Sequence, residues 1–312
     1  MQQLQCIPDA EGNEAAFTVL EQEVEDGMKR RFDGNIDKTV KIRLAHEFEL
    51  IRATNTAKLF LYWSDIVAAM KQKIFPYICS VQNCSLVSYC LGITEVNPLL
   101  TGSYFERLLT RRSTHVPILF IEVPKGRGEE ASEVLKEKTL IEIEENAACP
   151  DIDPKDVMDF FKRQTYENRK ILQSAAASLG TGQYKSLETV RELADLLVYK
   201  RYKEFMDEKP SLLYQEDAVD LLVKAGLSYE EAECARRAFA MKNRAEIDCC
   251  RNAFERAASK RGYSADEASA KFSAVEREIN FTVCRASYAA MAQYLYMDTF
   301  FQGKSRNGQL CL

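Results

Sequence analysis

The chain has 312 residues, of which 46% are apolar and 29% charged, with a formal net charge of -5. That is enough chain for one large domain or two modest ones, and a mean hydropathy of -0.30 is ordinary for a soluble protein. No run of about 18 uninterrupted apolar residues occurs, so no membrane span is expected. The opening MQQLQCIPDAEGNEAAF has neither the basic nor the apolar region of a signal peptide, which makes the cytoplasm the expected location. An isoelectric point near 5.4 removes any global electrostatic argument for nucleic acid and leaves only local basic faces to consider.

Ten cysteines stand at positions 6, 79, 84, 90, 149, 234, 249, 250, 284 and 311, with no C-x-x-C pair among them, and His46 and His115 are the only imidazoles. Paired short spacings are the usual mark of structural zinc. Reduced, largely buried thiols are therefore expected, with no metal site and no cofactor. The adjacent Cys249 and Cys250 lie in a helical pattern, where neighbours point to different sides, so no disulfide is expected between them.

In chain order, residues 1–16 read as a loose leader. FTVLEQEVEDGMKRRF, from Phe17, is amphipathic, and IRLAHEFELI, from Ile42 to Ile51, carries apolar residues at helical spacing. NTAKLFLYWSDIVAAMKQK reads as a short apolar strand near Leu59 leading into a helix. In it Trp63 is expected in the core and Asp65 as a helix N-cap rather than a metal ligand. His46 has no partner visible in the sequence and is expected to face solvent.

A turn, FPYICSVQNC (Phe75 to Cys84), then leads to SLVSYCLGITEVNPL (Ser85 to Leu99), to FERLL (Phe105 to Leu109), and to VPILFIEV, read as a buried strand near Val116. Residues 124–210 offer a charged connection, a strand TLIEIEE, helices from Pro154 to Leu179 and Leu187 to Phe205, and a hinge GTGQ at 180–183. LLYQEDAVDLL, GLSYEEAECARRAFAMKN, KRGYSADEASAKF, FTVCRASYAA and MAQYLYMDTFF follow, and the chain closes on GKSRNGQLCL. KGRG at 125–128 lacks the lysine-serine of a P-loop.

Several of these stretches resemble the bacterial DNA polymerase III alpha subunit, the C-family of replicative polymerases that includes error-prone repair homologues. SLVSYCLGITEVNPL and FERLL with its Val-Pro are similar to palm motifs. Gly27 and Arg31 sit as in the helix entering the palm, and IRLAHEFELI resembles an R-L-x-x-E-L-x-x-I helix. Asn55 replaces a glycine and tolerates positive φ. LLYQEDAVDLL and GLSYEEAECARRAFAMKN are similar to the start of the fingers.

The resemblance spans roughly residues 17–123 and 211–301 and is not seen between 124 and 210. It implies an α+β, mostly helical fold: a reduced polymerase palm with a small nucleotidyltransferase-like sheet at 17–123, a helical connecting segment at 124–210, an all-α fingers-like region at 211–301, and a flexible tail at 302–312.

The chemistry departs from the family. Its palm carries a glycine-rich loop that lets bare backbone N–H groups approach phosphate; residues 75–84 contain no glycine, and Cys79 stands in place of an arginine. The resemblance puts the family's paired aspartates, which hold the catalytic metals, at Ile118 and Phe120, with only Glu122 acidic nearby. No catalytic residue and no metal site are expected there. Pro150-Asp151-Ile152-Asp153 reproduces the missing motif downstream, but Pro154 follows directly and a helix N-terminus explains it. Only if the site has moved to Asp151 and Asp153 would magnesium be required.

Arg236, Arg237, Lys242 and Arg285 are the candidates for phosphate or nucleic-acid contact. Gln309, Leu310 and Leu312 resemble a shortened form of the peptides that dock on the bacterial sliding clamp. The sequence thus reads as a truncated, catalytically degenerate homologue of DNA polymerase III alpha, a non-catalytic protein associated with DNA or with replication and repair proteins, without membrane contact. The alternatives are a protein-interaction module that does not bind nucleic acid, and an active metal-dependent nucleotidyltransferase using Asp151 and Asp153.

Overall fold

The computed structural model describes residues 13–32, 36–74, 76–78, 80–113, 117–121, 123, 127–138, 212, 214–279 and 282–290. Among these the protein is mostly helical. The first unit contains α1 (Asn13–Phe32), α2 (Lys38–Ala53), α3 (Ala57–Lys73), α4 (Leu86–Cys90), α5 (Pro98–Thr101) and α6 (Gly128–Lys138), with 3-10 turns at Val81–Cys84 and Phe105–Arg107. The second contains α7 (Gln215–Lys224), α8 (Tyr229–Met241), α9 (Arg244–Lys260) and α10 (Ala265–Glu278), followed by helical residues 285–290.

Phe17, Leu20, Leu44, Leu50, Ile51, Phe60, Trp63, Leu86 and Phe105 form one buried cluster around α1 to α4. Burying each of these large side chains contributes about 1.5–3 kcal/mol. The helices can close on this core because of Gly27. A Cβ built there would lie 2.0 Å from the Cys90 carbonyl oxygen, so α1 and α4 touch backbone to backbone. One turn later Arg31 fixes the same contact. Its guanidinium donates to the Tyr89 carbonyl (3.1 Å), the Thr94 carbonyl (3.2 Å) and Glu95 Oε2 (2.8 Å), and it lies 4.6 Å from the centre of the Tyr89 ring.

The second unit is built from consecutive neighbours, α7 on α8, α8 on α9 and α9 on α10. Each start is written locally. Ser228 with Glu231 and Ser264 with Glu267 form reciprocal capping boxes, and Asn243 caps α9. Lys242, at φ 53°, turns the chain left-handed to end α8. Phe239, Phe254 and Phe272 are the buried centre, with ring centroids 5.2 and 5.4 Å apart about Phe272.

Several sequence expectations hold: Asn55 has φ 52° and Trp63 is 3% exposed. Others are corrected. The stretch around Leu59 is not a strand. It opens α3, whose buried Phe60, Trp63, Val67 and Met70 recur at helical spacing. Asp65 therefore lies in the middle of a helix, exposed, and caps nothing. α1 begins at Asn13, inside the stretch read as leader.

Residues 117–121 are described without strand pairing. Leu119 and Ile121 pack against the first core while Ile118 and Phe120 face out, 67% and 58% exposed, where a buried strand was expected. Among the described residues there are isolated β-bridges, at Tyr77 and, parallel, between Tyr214 and Val283, but no strand, so the expected palm sheet is not among them. The helices at 154–179 and 187–205, the strand TLIEIEE, Glu122, Asp151, Asp153, MAQYLYMDTFF and the tail residues Gln309, Leu310 and Leu312 lie outside the described residues.

Candidate functional site

The motif residues of the first unit meet at the start of α4. Glu47, fully buried, accepts from Arg43 Nε (2.6 Å), Ser85 Oγ (2.8 Å), Leu86 N (2.8 Å) and Val87 N (3.0 Å). The carboxylate neutralises the positive end of α4 and satisfies N–H groups that have no partner within the helix. Arg43, one turn before Glu47, also donates to the carbonyls of Ser103 (2.8 Å) and Cys84 (2.6 Å), which pins the turn before α4 to the turn before Phe105.

The turn before α4 is held by its own side chains. Gln82 donates to the Ile118 carbonyl (2.6 Å), and Asn83 donates to the carbonyls of Ile78 (2.6 Å) and Ser80 (3.1 Å). Gln82, Asn83 and Cys84 are all buried. The turn at 80–84 and the segment at 117–121 are thus hydrogen-bonded to each other. The family's magnesium does not fit positions 118 and 120, because Ile118 and Phe120 offer no oxygen to a hard cation.

The FERLL motif joins the two units. Phe105 enters the first core beside Phe60. Glu106 accepts from, or pairs with, His46 Nε2 at 2.8 Å; this partner, 60 residues away, was invisible in the sequence, and the ring is not simply solvent-facing. The hydrogen bond to Glu106 raises the His46 pKa above its usual 6.5. Arg107 donates to Gln215 Oε1 (3.1 Å) and approaches Glu233 Oε1 at 3.5 Å. Just before the motif, Tyr104 stacks on Tyr229 with centroids 5.5 Å apart and donates to Glu233 Oε2 at 3.0 Å.

Glu233 is therefore a hub. It is fully buried on α8 and also takes Arg236 through two bonds (2.8 and 2.7 Å) and Arg237 through one (2.9 Å). Burial pushes its carboxyl upward, but Arg236, Arg107 and Arg237 together outweigh that and hold its pKa below the usual value. Three guanidinium groups on one carboxylate leave a local charge of +2.

The four predicted phosphate contacts divide accordingly. Arg236, 6% exposed, is spent on Glu233. Arg285, also 6% exposed, donates to the Thr101 carbonyl (3.2 Å) and to Asp217, and lies over the Tyr214 ring at 4.5 Å. Arg237 is half-exposed, and Lys242 is exposed at the end of α8. The structure does not gather the four on one surface; it turns two of them into the joint.

Behind the joint lie three buried groups that the sequence reading did not assemble: Cys84, Cys284 and Glu216. Their ligand atoms all lie within 4.8 Å of one another, although the two cysteines are 200 residues apart in sequence.

A helical scaffold carrying these motifs in two packed units defines the class to be sought, and comparison with known proteins places the chain. The sequence model for the bacterial DNA polymerase III alpha NTPase domain matches residues 18–209, more than half of the chain. The protein belongs to that family. The match runs through 124–209, where the sequence reading had seen the likeness fail.

Among curated relatives, the error-prone DNA polymerase of Burkholderia mallei is 36% identical over 123 residues, 38% of this chain and 11% of the relative. That of an Anaeromyxobacter species is 26% identical over 237 residues, 75% of this chain and 18% of the relative. The DNA polymerase III subunit alpha of Mycobacterium tuberculosis is 31% identical over 127 residues, 39% of this chain and 11% of the relative. The chain thus spans between about a tenth and a fifth of the relatives it matches. Among the described residues no helix is long and apolar enough to cross a membrane.

Proposed function

We propose that this protein is a catalytically degenerate homologue of DNA polymerase III alpha that associates with DNA, or with replication and repair proteins, without transferring nucleotides. In this reading α1 to α6 keep the packing of a palm whose small sheet is reduced, and α7 to α10 keep that of the fingers. The observation that carries it is the hydrocarbon pair Ile118 and Phe120, where the resemblance puts the family's aspartates, with Gln82 bonded to the Ile118 carbonyl. Phosphoryl transfer depends on positioning and charge neutralisation, and neither residue supplies them.

The surviving nucleic-acid contacts would be Arg237 and Lys242. A few exposed cations give weak, salt-sensitive, sequence-independent binding. Gln309, Leu310 and Leu312 would add a clamp-docking peptide.

The test is a primer-extension assay with magnesium or manganese, run beside anisotropy titrations of primed and single-stranded DNA at low and moderate salt. The expected result is no extension, and binding at low salt that Lys242→Ala weakens and moderate salt abolishes. Extension that Asp151→Asn or Asp153→Asn removes would overturn the proposal in favour of a relocated, magnesium-dependent site. Absence of binding even at low salt would favour an interaction module that does not touch nucleic acid, a reading supported by the inward commitment of Arg236 and Arg285.

A further inference from the structure

We infer that Cys84, Cys284 and Glu216 form a binding site for a thiophilic divalent cation of the zinc class, set in the joint between the two helical units. The inference does not depend on whether the protein binds DNA.

The first argument is geometric. A tetrahedral zinc ion with Zn–S of about 2.3 Å and Zn–O of about 2.1 Å holds its sulfurs about 3.8 Å apart and each sulfur about 3.6 Å from the carboxylate oxygen. Cys84 Sγ and Cys284 Sγ are 4.0 Å apart, and Cys284 Sγ is 3.5 Å from Glu216 Oε1. The remaining edge is no longer than 4.8 Å. Two of the three edges already have near-tetrahedral lengths, and a small side-chain rotation closes the third. Two thiols select zinc over magnesium or calcium.

The second argument is polar satisfaction. Glu47 and Glu216 occupy analogous places, each a buried carboxylate facing the start of a helix across the fold. Glu47 accepts four donors, a guanidinium among them. Glu216, 1% exposed, takes the N–H of Arg285, shared between its two oxygens at 3.0 and 2.9 Å, its own backbone N–H, and the Cys284 thiol. The Arg285 guanidinium, the nearest candidate counter-ion, is spent instead on Thr101 and Asp217. A buried carboxylate held only by neutral donors is costly unless a cation meets it.

The third argument is charge. Two thiolates and one carboxylate carry -3, and a divalent ion reduces this to -1. The neighbouring Glu233 hub carries +2. The metal-loaded site therefore offsets half of the hub's charge. On loading, the ion loses its waters at three positions and forms two Zn–S bonds and one Zn–O bond. The two thiol protons, and that of Glu216 where it is protonated, pass to solvent. Three protein donors leave the fourth position to water.

The spacing rules in the sequence pointed away from zinc because the ligands come from α7 and from two turns 200 residues apart. They are brought together only when the units dock.

The test uses the full chain, purified under a phosphine reductant and stripped with a chelator. Elemental mass spectrometry after reloading with Zn2+ is expected to give one ion per chain. Titration with Co2+ is expected to give a thiolate-to-cobalt charge-transfer band that saturates at one equivalent. Cys84→Ser and Cys284→Ser should each abolish the band, and Cys249→Ser, on the exposed side of α9, should keep it. Glu216→Gln should weaken Zn2+ binding by about tenfold or more.

Should the serine variants not fold, the wild-type protein still decides the matter, since Zn2+ should raise its melting temperature and chelator should lower it. The inference is overturned by a folded wild-type chain that takes up no Co2+, or by a band that survives in both serine variants. It is equally overturned if peptide mapping of protein isolated without reductant shows Cys84 and Cys284 joined as a disulfide and free of metal.

Discussion

Replacing Gly27 by alanine inverts the usual rule for a glycine within a helix. At an open helical position the change stabilises by about 1 kcal/mol, because alanine is the better helix former. Here the added methyl carbon would sit 2.0 Å from the Cys90 carbonyl oxygen, while real Cβ atoms essentially never approach closer than 3.0 Å, so α1 and α4 must part by at least 1.0 Å. Parting them stretches the three Arg31 bonds, now 2.8 to 3.2 Å, past the length at which a hydrogen bond is useful. Overpacking costs about 1–3 kcal/mol, and each lost hydrogen bond about 1 kcal/mol more.

Set against the propensity gain, the net expectation is a loss of about 3–5 kcal/mol. Urea unfolding followed by circular dichroism measures it as a lower midpoint at unchanged slope. A midpoint equal to or above that of the wild type would refute the claim that the two backbones touch.

Other expectations follow from the same geometry. Glu47→Ala strands Arg43, Ser85 and two N–H groups of α4 without an acceptor and should cost about 3–5 kcal/mol in the same unfolding assay. Glu47→Gln, which keeps one acceptor, should cost less; equal losses would discount the charge. For His46 the pKa is raised in the folded state, so its pairing with Glu106 stabilises fully below the unfolded value of 6.5 and is lost as pH rises through the folded value. His46→Gln should therefore lower stability more at about pH 5.5 than at about pH 8.5, by less than about 1 kcal/mol because the ring is nearly half exposed. A pH-independent loss would point to packing instead. Glu233→Gln should loosen the joint by about 3–5 kcal/mol, seen as faster hydrogen exchange across α8; unchanged protection there would show that the hub is not what holds the units together.

How far the sequence could be read depends on the distance over which each interaction acts. Contacts within one or two turns were legible. Asn55 announced its positive φ, Ser228 and Ser264 stand three residues before a glutamate, and Gly27 and Arg31 marked a helix by its likeness to the family's. Apolar runs were ambiguous. LFLYW is as consistent with a strand as with a buried helix, and only the continuation through Val67 and Met70 settles it.

The arginines carry a sharper lesson. Glu233 precedes Arg236 and Arg237 by three and four residues, the spacing of side-chain pairs on one helical face. Their inward pairing was therefore available, and the likeness to a DNA-contacting segment drew attention away from it. His46 with Glu106, Tyr104 with Glu233 and the cysteine pair were beyond reach, because nothing local encodes partners 60 to 200 residues apart.

That same separation bears on how the chain comes to be ordered. Helices α7 to α10 touch their neighbours in sequence and start from self-contained caps, so they need little loop closure and should form early. Tyr104 meeting Glu233 and Thr101 meeting Arg285 must first bring together points 129 and 184 residues apart, and the entropy of that closure is lost before any contact repays it. The seam should accordingly set last during refolding and open first under stress, so a protease acting on the native protein would meet two firm bodies and a slow hinge line between them.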